Sequence, residues 1–404
     1  MSKRVAITGS GVVSALGNQS EELHRALCDG ACGVRPIQLF ECKQSGGEIP
    51  EFDARAFLGE GNLRPLDRIA QLAASAAQLA LTNSVCTPDM REKLDVGIVL
   101  GTVFSSAHTI SVFDQVALRR GPRFVKPLDF ANTVINAATG QTAIWHNLRG
   151  VNSTVATGGS SGLQAIGYAS DLIRTSRSDA LLAGGAEELS FEMLFGFERL
   201  GMLGGNVDTA VPFDKSRTGL MMGEGAAFLM LEDCESAKAR EASILGEIRG
   251  YGTSFDPERG QYAPQLCVAM VVAIRAALQQ AEIGIDDIHC ISSSASGGLV
   301  GDRCEAEAIA EVFGARKDKL PITAIKSAVG DTLGASGAIQ TVALLEHMIQ
   351  GELPGVRGFN VLGDDIDLPT VSNENQSVEM QNGLVLSFGI DGNLCALVVS
   401  KTLT

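Results

Sequence analysis

The sequence predicts an α/β fold built on parallel sheets covered on both faces. Short runs rich in branched apolar residues alternate with longer amphipathic stretches, and Gly-rich turns fall between them. The chain has 404 residues, 45% of them hydrophobic, enough for one large core or for two fused units of about 150–200 residues each. Aromatic residues make up only 5%, so Ala, Val, Leu and Ile must fill the interior.

The first predicted strand is Val5–Thr8, running into a turn at Gly9 and Gly11. A helix follows over Pro65–Leu81, where Leu66, Ile69, Ala70 and Ala73 form one core-facing stripe. Next come a strand at Val96–Leu100, a helix at Ser106–Leu118, a strand at Ser153–Thr157 and a helix at Ser161–Arg174. Strands at Ala180–Ala183 and Ala226–Leu231 end the first half. The second half reads as helix Leu266–Ala281, strand His289–Ser293, helices Arg303–Val312 and Ala338–Gln350, and strands Leu384–Ser387 and Leu394–Val399. No Pro/Ser-rich linker or charge run separates the halves, yet each runs strand, Gly-rich turn, helix and a final pair of strands. The division expected is residues 1–245 and 246–404.

Composition excludes several classes of function. The net charge is −15, from 47 acidic against 32 basic residues, which argues against binding nucleic acid through its phosphates. The same charge repels an acidic carrier protein unless a basic patch or a basic partner receives it. No run of about 18 apolar residues occurs, so no membrane span is expected, and no export signal opens the chain. Nine scattered Cys without CxxC spacing read as reduced thiols of a cytoplasmic protein. Five His without HxxH or HExxH spacing predict no metal site, and no cofactor is expected.

The Gly-rich segments carry a family resemblance. They are Val5–Gly17 (VAITGSGVVSALG), Gly184-Gly185-Ala186-Glu187, Pro212–Leu231 (matching PFDxxRxGxxxGEGA), Gly301-Asp302 with Glu305, Lys326-Ser327, and Phe388-Gly389. In this order, the chain resembles the β-ketoacyl-acyl carrier protein synthases over nearly its full length. The resemblance implies the thiolase fold: two duplicated α/β halves packed as a five-layered αβαβα core. It also implies structural roles for Lys326, Asp302, Glu305 and Phe388.

At three positions the sequence departs from that family. Synthases place a nucleophilic Cys in a TACxSG-like elbow, activated by the following helix; here Thr157–Gly162 reads TGGSSG, with Gly159 at the Cys position. Of the two family His, Ser294 replaces the first, aligned on Gly301-Asp302, and Asp331 replaces the second, after Lys326-Ser327. Imidazoles there donate to a developing oxyanion, which an ionised Asp repels. These departures carry the expectation of a subunit that is no enzyme on its own, resembling the chain-length factors of type II polyketide systems. Such a subunit forms a heterodimer with an active ketosynthase, meets acyl carrier protein through that complex, and closes the far end of the acyl tunnel. Many such factors carry Gln where this chain has Gly159. Tunnel or interface candidates are Phe113, Asp129, Phe130 and Thr133. Asp331 is expected to pair with Lys326 or to accept an N–H of the Gly159 turn.

Alternatives remain at this point. A malonyl-carrier decarboxylase that primes chains is one. A serine esterase is another, since GGSSG fits GxSxG with Ser160 as nucleophile and His289 or His347 as the later His. Gly9-x-Gly11 lacks the third Gly of a dinucleotide fingerprint, because Ser14 stands there.

Overall fold

In the computed structural model, which describes residues 3–49, 51–259 and 263–402, ten strands form one hydrogen-bonded set. They are β1 (Val5–Val13), β2 (Gly97–Gly101), β3 (Asn152–Val155), β4 (Ala180–Glu187), β5 (Gly225–Asp233), β6 (Gly246–Phe255), β7 (Cys290–Ser292), β8 (Ile322–Thr323), β9 (Asn382–Phe388) and β10 (Asn393–Lys401). The helices that matter for the site are α1 (Ser20–Cys28), α2 (Arg68–Asn83), α3 (Ala107–Arg120), α4 (Ala137–His146), α5 (Ser161–Arg174), α6 (Ala263–Ala281), α7 (Leu299–Phe313) and α8 (Ser336–Gln350).

The strand order is β8-β7-β9-β10-β6-β1-β5-β4-β2-β3, and it repeats itself about its middle. β1 pairs antiparallel with β5 and β5 antiparallel with β4, after which β4, β2 and β3 are parallel. β6 does the same with β10, β9, β7 and β8. The two sets meet where Val5, Ala6 and Ile7 face Ile248, Glu247 and Gly246.

Most of the strands bury both faces; β3 and β6 are the exceptions. In β5, Ala227, Leu229 and Leu231 belong to a central core, while Ala226, Phe228 and Met230 face an outer one built with α2 and α4. In β10, Cys395, Leu397 and Val399 face the centre and Leu394, Ala396 and Val398 an outer core built with α6 and α7. Successive side chains point to opposite faces, so three cores separate five layers. α5 and α8 form the middle layer, and α8 is buried from Ser336 to Met348. This is the αβαβα arrangement expected.

Three features differ from expectation, one being the two-residue strand β8, which was not anticipated. β1 continues through Gly9 and Gly11 instead of turning, because these glycines let α2 lie directly on the strand: a Cβ at Gly11 would stand 2.2 Å from the Ala76 carbonyl oxygen. β6 was not expected at all, its alternation being broken by Glu247, Arg249 and three glycines. Gly252 plays the part of Gly11, its missing Cβ lying 2.3 Å from the Ala273 carbonyl oxygen on α6.

Candidate functional site

The loops that leave β7, β8 and β9 at their C-terminal ends enclose a cavity of about 510 Å³. Ser294 follows β7, Lys326 and Asp331 follow β8, and Phe388 and Gly389 end β9; Asp302 and Glu305 reach in from α7. Thr218, Gly219 and Leu220 complete one wall.

That wall is held by the residues of the PFDxxRxGxxxGEGA segment. Asp214 accepts from the Asn360 and Val361 amides at 2.8 and 3.0 Å. Arg217 is buried and donates to Asp365 at 2.6 Å. Asp302 accepts from the Phe213, Ser296 and Gly297 amides at 2.9, 3.1 and 3.2 Å. Glu224 receives Arg68 from α2 in a two-pronged ion pair, at 2.7 and 2.5 Å. The motif is therefore a frame: its charged residues find partners elsewhere in the chain, Arg217 in Asp365 and Glu224 in Arg68, and so tie loops to the sheet. Glu187, at the end of β4, does the same for the loop before α3, accepting from the Val103, Phe104 and Ser105 amides.

Inside the cavity the charges are organised in pairs. The Lys326 ammonium donates to Asp331 at 3.1 Å, and both side chains are buried. Asp331 also accepts from the Leu333 amide and the Ser336 hydroxyl, each at 3.0 Å, so it holds the turn that leads into α8. Glu305 accepts from the Ser293 hydroxyl and the Ser294 amide, both at 2.8 Å. Burial pushes its carboxyl up to about 7 against those hydrogen bonds, with Asp302 adding to the rise and Lys326 opposing it. Burial likewise raises Asp302 to about 6. The Ser294 hydroxyl accepts from the Phe388 amide at 2.9 Å, which binds the β7 and β9 loops together.

Gly159 does not line this cavity but lies against Gly389, which does, in the single turn Gly158–Ser160 that leads into α5. The Ser387 hydroxyl donates to its carbonyl at 3.1 Å, and a Cβ added there would meet only Gly389, at 3.3 Å from Cα. Asp391 holds the turn from outside. Its carboxylate accepts from the Gly159 amide at 3.4 Å and from Asn393 at 2.6 Å. Of the two partners expected for Asp331, the structure thus provides Lys326; the amide of the Gly159 turn is taken by Asp391. Asp391 was missed in the sequence, and only the Asp-Gly pair at Asp391-Gly392 marked a tight turn there.

The remaining candidates lie elsewhere. Phe113 on α3 and Phe130 pack ring against ring, 6.1 Å between centroids, and Thr133 donates to the Phe130 carbonyl at 2.8 Å. Neither these three nor Asp129 lines the cavity; Phe130 is exposed on the outer surface and the others are partly so. The esterase alternative loses its geometry. Ser160 is fully buried, donates to the Thr157 carbonyl at 3.1 Å and accepts from Gln164 at 2.9 Å. His347 is paired with His24, and His289 accepts from the Asn382 amide at 3.2 Å.

Residues 2–237 match the profile of the Beta-ketoacyl synthase, N-terminal domain, and residues 245–360 that of the Beta-ketoacyl synthase, C-terminal domain. A curated relative, 3-oxoacyl-[acyl-carrier-protein] synthase 2 of Coxiella burnetii, is 31% identical over 99% of both chains. The enzyme of the same name from Vibrio harveyi is 28% identical, again over 99% of both. Among solved structures, the ishigamide ketosynthase/chain length factor superposes with TM-score 0.92 at 28% identity, covering 100% of both chains. A ketosynthase described in complex with a type II PKS acyl-carrier protein and bound to the hexaketide gives TM-score 0.88 at 26% identity, with 100% coverage of both chains.

These relatives correct one expectation. The replaced positions Gly159, Ser294 and Asp331 led to the reading that the chain is no enzyme on its own; its full-length curated relatives are catalytic 3-oxoacyl-[acyl-carrier-protein] synthase 2 enzymes, and that reading is withdrawn. The physical reason is that three side chains weigh less than the frame around them. The charged frame and its cavity are complete, with Lys326, Glu305, Asp302 and Ser294 converging on one space.

Proposed function

Since the chain belongs to the β-ketoacyl synthase family, we propose that it is the chain-length-setting subunit of a ketosynthase pair, handling acyl chains delivered by an acyl carrier protein. The observations that support this reading are exposed large apolar side chains and a sheet edge open among the described residues. Leu118 at the end of α3 is 85% exposed, Phe130 65% and Ile144 on α4 76%, a surface of the kind that marks a protein interface. α4 is tied to the outermost strand β3 by Thr139 and Thr154, 2.6 Å apart, and β3 has a strand on one side only. An unpaired edge flanked by apolar residues is stable when a second chain covers it. The solved ketosynthase/chain length factor supports a partner of the same fold.

In this reading the partner's surface meets Phe113, Asp129, Phe130 and Thr133, and these residues then bound the acyl tunnel from the side of this chain. Chain length follows from the volume they leave. Residues 1–245 and 246–404 supply the two units of the subunit. The carrier approaches through Arg119, Arg120, Arg123 and Lys126, an exposed basic run on a chain whose net charge is −15. Nine cysteines outside any disulfide suit a reducing compartment, and we place the protein in the cytoplasm. No helix among the described residues is long and apolar enough to cross a membrane.

Co-expression with a ketosynthase, followed by size-exclusion chromatography and native mass spectrometry, tests the pairing. A one-to-one complex of the two chains is expected. A stable homodimer that leaves every ketosynthase free would refute it.

A further inference from the structure

α1 carries His24 and Cys28 one turn apart, so both side chains leave the same face of the helix. Cys28 Sγ lies 3.8 Å from each ring nitrogen of His24. Glu352, in a short strand just beyond α8, brings its carboxylate to the same point, and one donor atom from each of the three residues lies within 4.8 Å of the others. We propose that His24, Cys28 and Glu352 form a binding site for a divalent metal of the zinc class, which clips α1 to the segment after α8. One imidazole, one thiolate and one carboxylate are a zinc donor set, with the fourth position left to water. Bonds of about 2.0–2.3 Å around a tetrahedral centre place donors about 3.3–3.8 Å apart, so the cluster needs to draw in by about 1 Å, within the reach of side-chain rotations.

Residues behind the donors are arranged as supports for a metal. His347, fully buried on α8, sets its Nδ1 2.7 Å from His24 Nδ1. Accepting there, it fixes the His24 proton on Nδ1 and leaves the Nε2 lone pair free for a metal, the usual service of a residue behind a liganding His. With Nδ1 accepting, the His347 proton sits on Nε2, which has no hydrogen-bond partner among the described residues. Asn375 donates to the Glu352 carboxylate at 3.3 Å and to the Cys28 carbonyl at 3.0 Å, joining the strand to the helix end. Glu346, Glu352 and Asp29 act on this cluster against the single charge of Arg25, a field that attracts a cation. On binding, the Cys28 thiol gives its proton to solvent and the sulfur takes the metal. Burial and the Glu352 carboxylate hold that thiol protonated, at about 11, while no metal is there. The spacing rules for metal motifs miss this site because its donors come from opposite ends of the chain.

The test uses the purified full-length protein stripped of metal. Zinc titration is expected to show one ion per chain, to raise Tm, and to slow alkylation of Cys28, read by mass spectrometry of its peptide, at least tenfold. Cobalt(II) in place of zinc is expected to give a sulfur-to-metal charge-transfer band in the near ultraviolet. Cys28→Ser and Glu352→Gln should each weaken zinc binding at least tenfold. If Cys28→Ser does not fold, the cobalt band and the alkylation rate of the unaltered chain decide. Zinc binding that Cys28→Ser leaves unchanged, or Cys28 alkylation indifferent to zinc, overturns the proposal.

Discussion

Neighbouring glycines at the elbow have different reasons for being glycine. Gly158 has φ +65° and its missing Cβ would fall 1.9 Å from the Asp391 carboxylate. Gly159 has no such φ and a single neighbour at 3.3 Å within its Cβ's near reach. Gly158→Ala is therefore expected to cost about 2–4 kcal/mol. Gly159→Ala should stay within about 1 kcal/mol of the parent, lost unfolded-state freedom offsetting the tight contact. Urea unfolding of both variants measures the difference, and equal losses would contradict this account of the turn. Glu305 gives a pH test. Its carboxyl is raised to about 7 by burial, so the folded state holds the proton more tightly than the unfolded chain. The associated stability is full below about pH 4.5 and is lost as pH rises through 7, on the order of 3 kcal/mol over that window. Glu305→Gln keeps the acceptor and never ionises, so its stability should decline less between pH 5 and 8; parallel curves would show that the charge is not the cause. At this scale the sequence was only partly legible. The motif glycines and acids announced themselves, but Asp391 did not, because its contact with Gly159 spans 232 positions of the chain. Gly159, Ser294 and Asp331 were read as replacements, and the inference drawn from them about activity is the one the relatives overturn.

Elements repeat with more fidelity than the sequence betrays. Gly9 and Gly11 of β1 lie under Ala80 and Ala76 of α2, and Gly250 and Gly252 of β6 lie under Ala277 and Ala273 of α6. Two glycines two apart on a strand, meeting alanines four apart on a helix, occur once in each half. The overall identity of the halves is too faint to display this, and the glycines of β6 erased the strand signal that their function required. Gly252→Ala forces α6 off the sheet against backbone 2.3 Å away and is expected to cost about 2–3 kcal/mol. Gly140→Ala, in α4 with open space around it, is the control and should be neutral or stabilising by about 0.5–1 kcal/mol. Thermal unfolding of the pair checks this; similar Tm values would mean that the close approach is not what Gly252 serves. Strands with both faces buried, such as β4 and β5, by contrast stood out as apolar runs.

For the whole molecule, the sequence announced the family and the layered fold, while the proposed interface was visible only as scattered apolar residues between 104 and 144. They have no core to enter: α3 contains no buried residue. Charge belongs to this scale too. Arg119→Glu with Arg123→Glu should weaken carrier-protein binding at least tenfold at low salt and little at high salt; an equal effect at both would remove this run as the docking site. Pairing and chain length are decided together by the product spectrum of the co-purified complex. Mass spectrometry of carrier-bound products should show that Phe113→Ala lengthens the chains by whole malonyl-derived units while the pair stays intact. Unchanged product lengths from an intact pair would contradict the claim that this chain sets them.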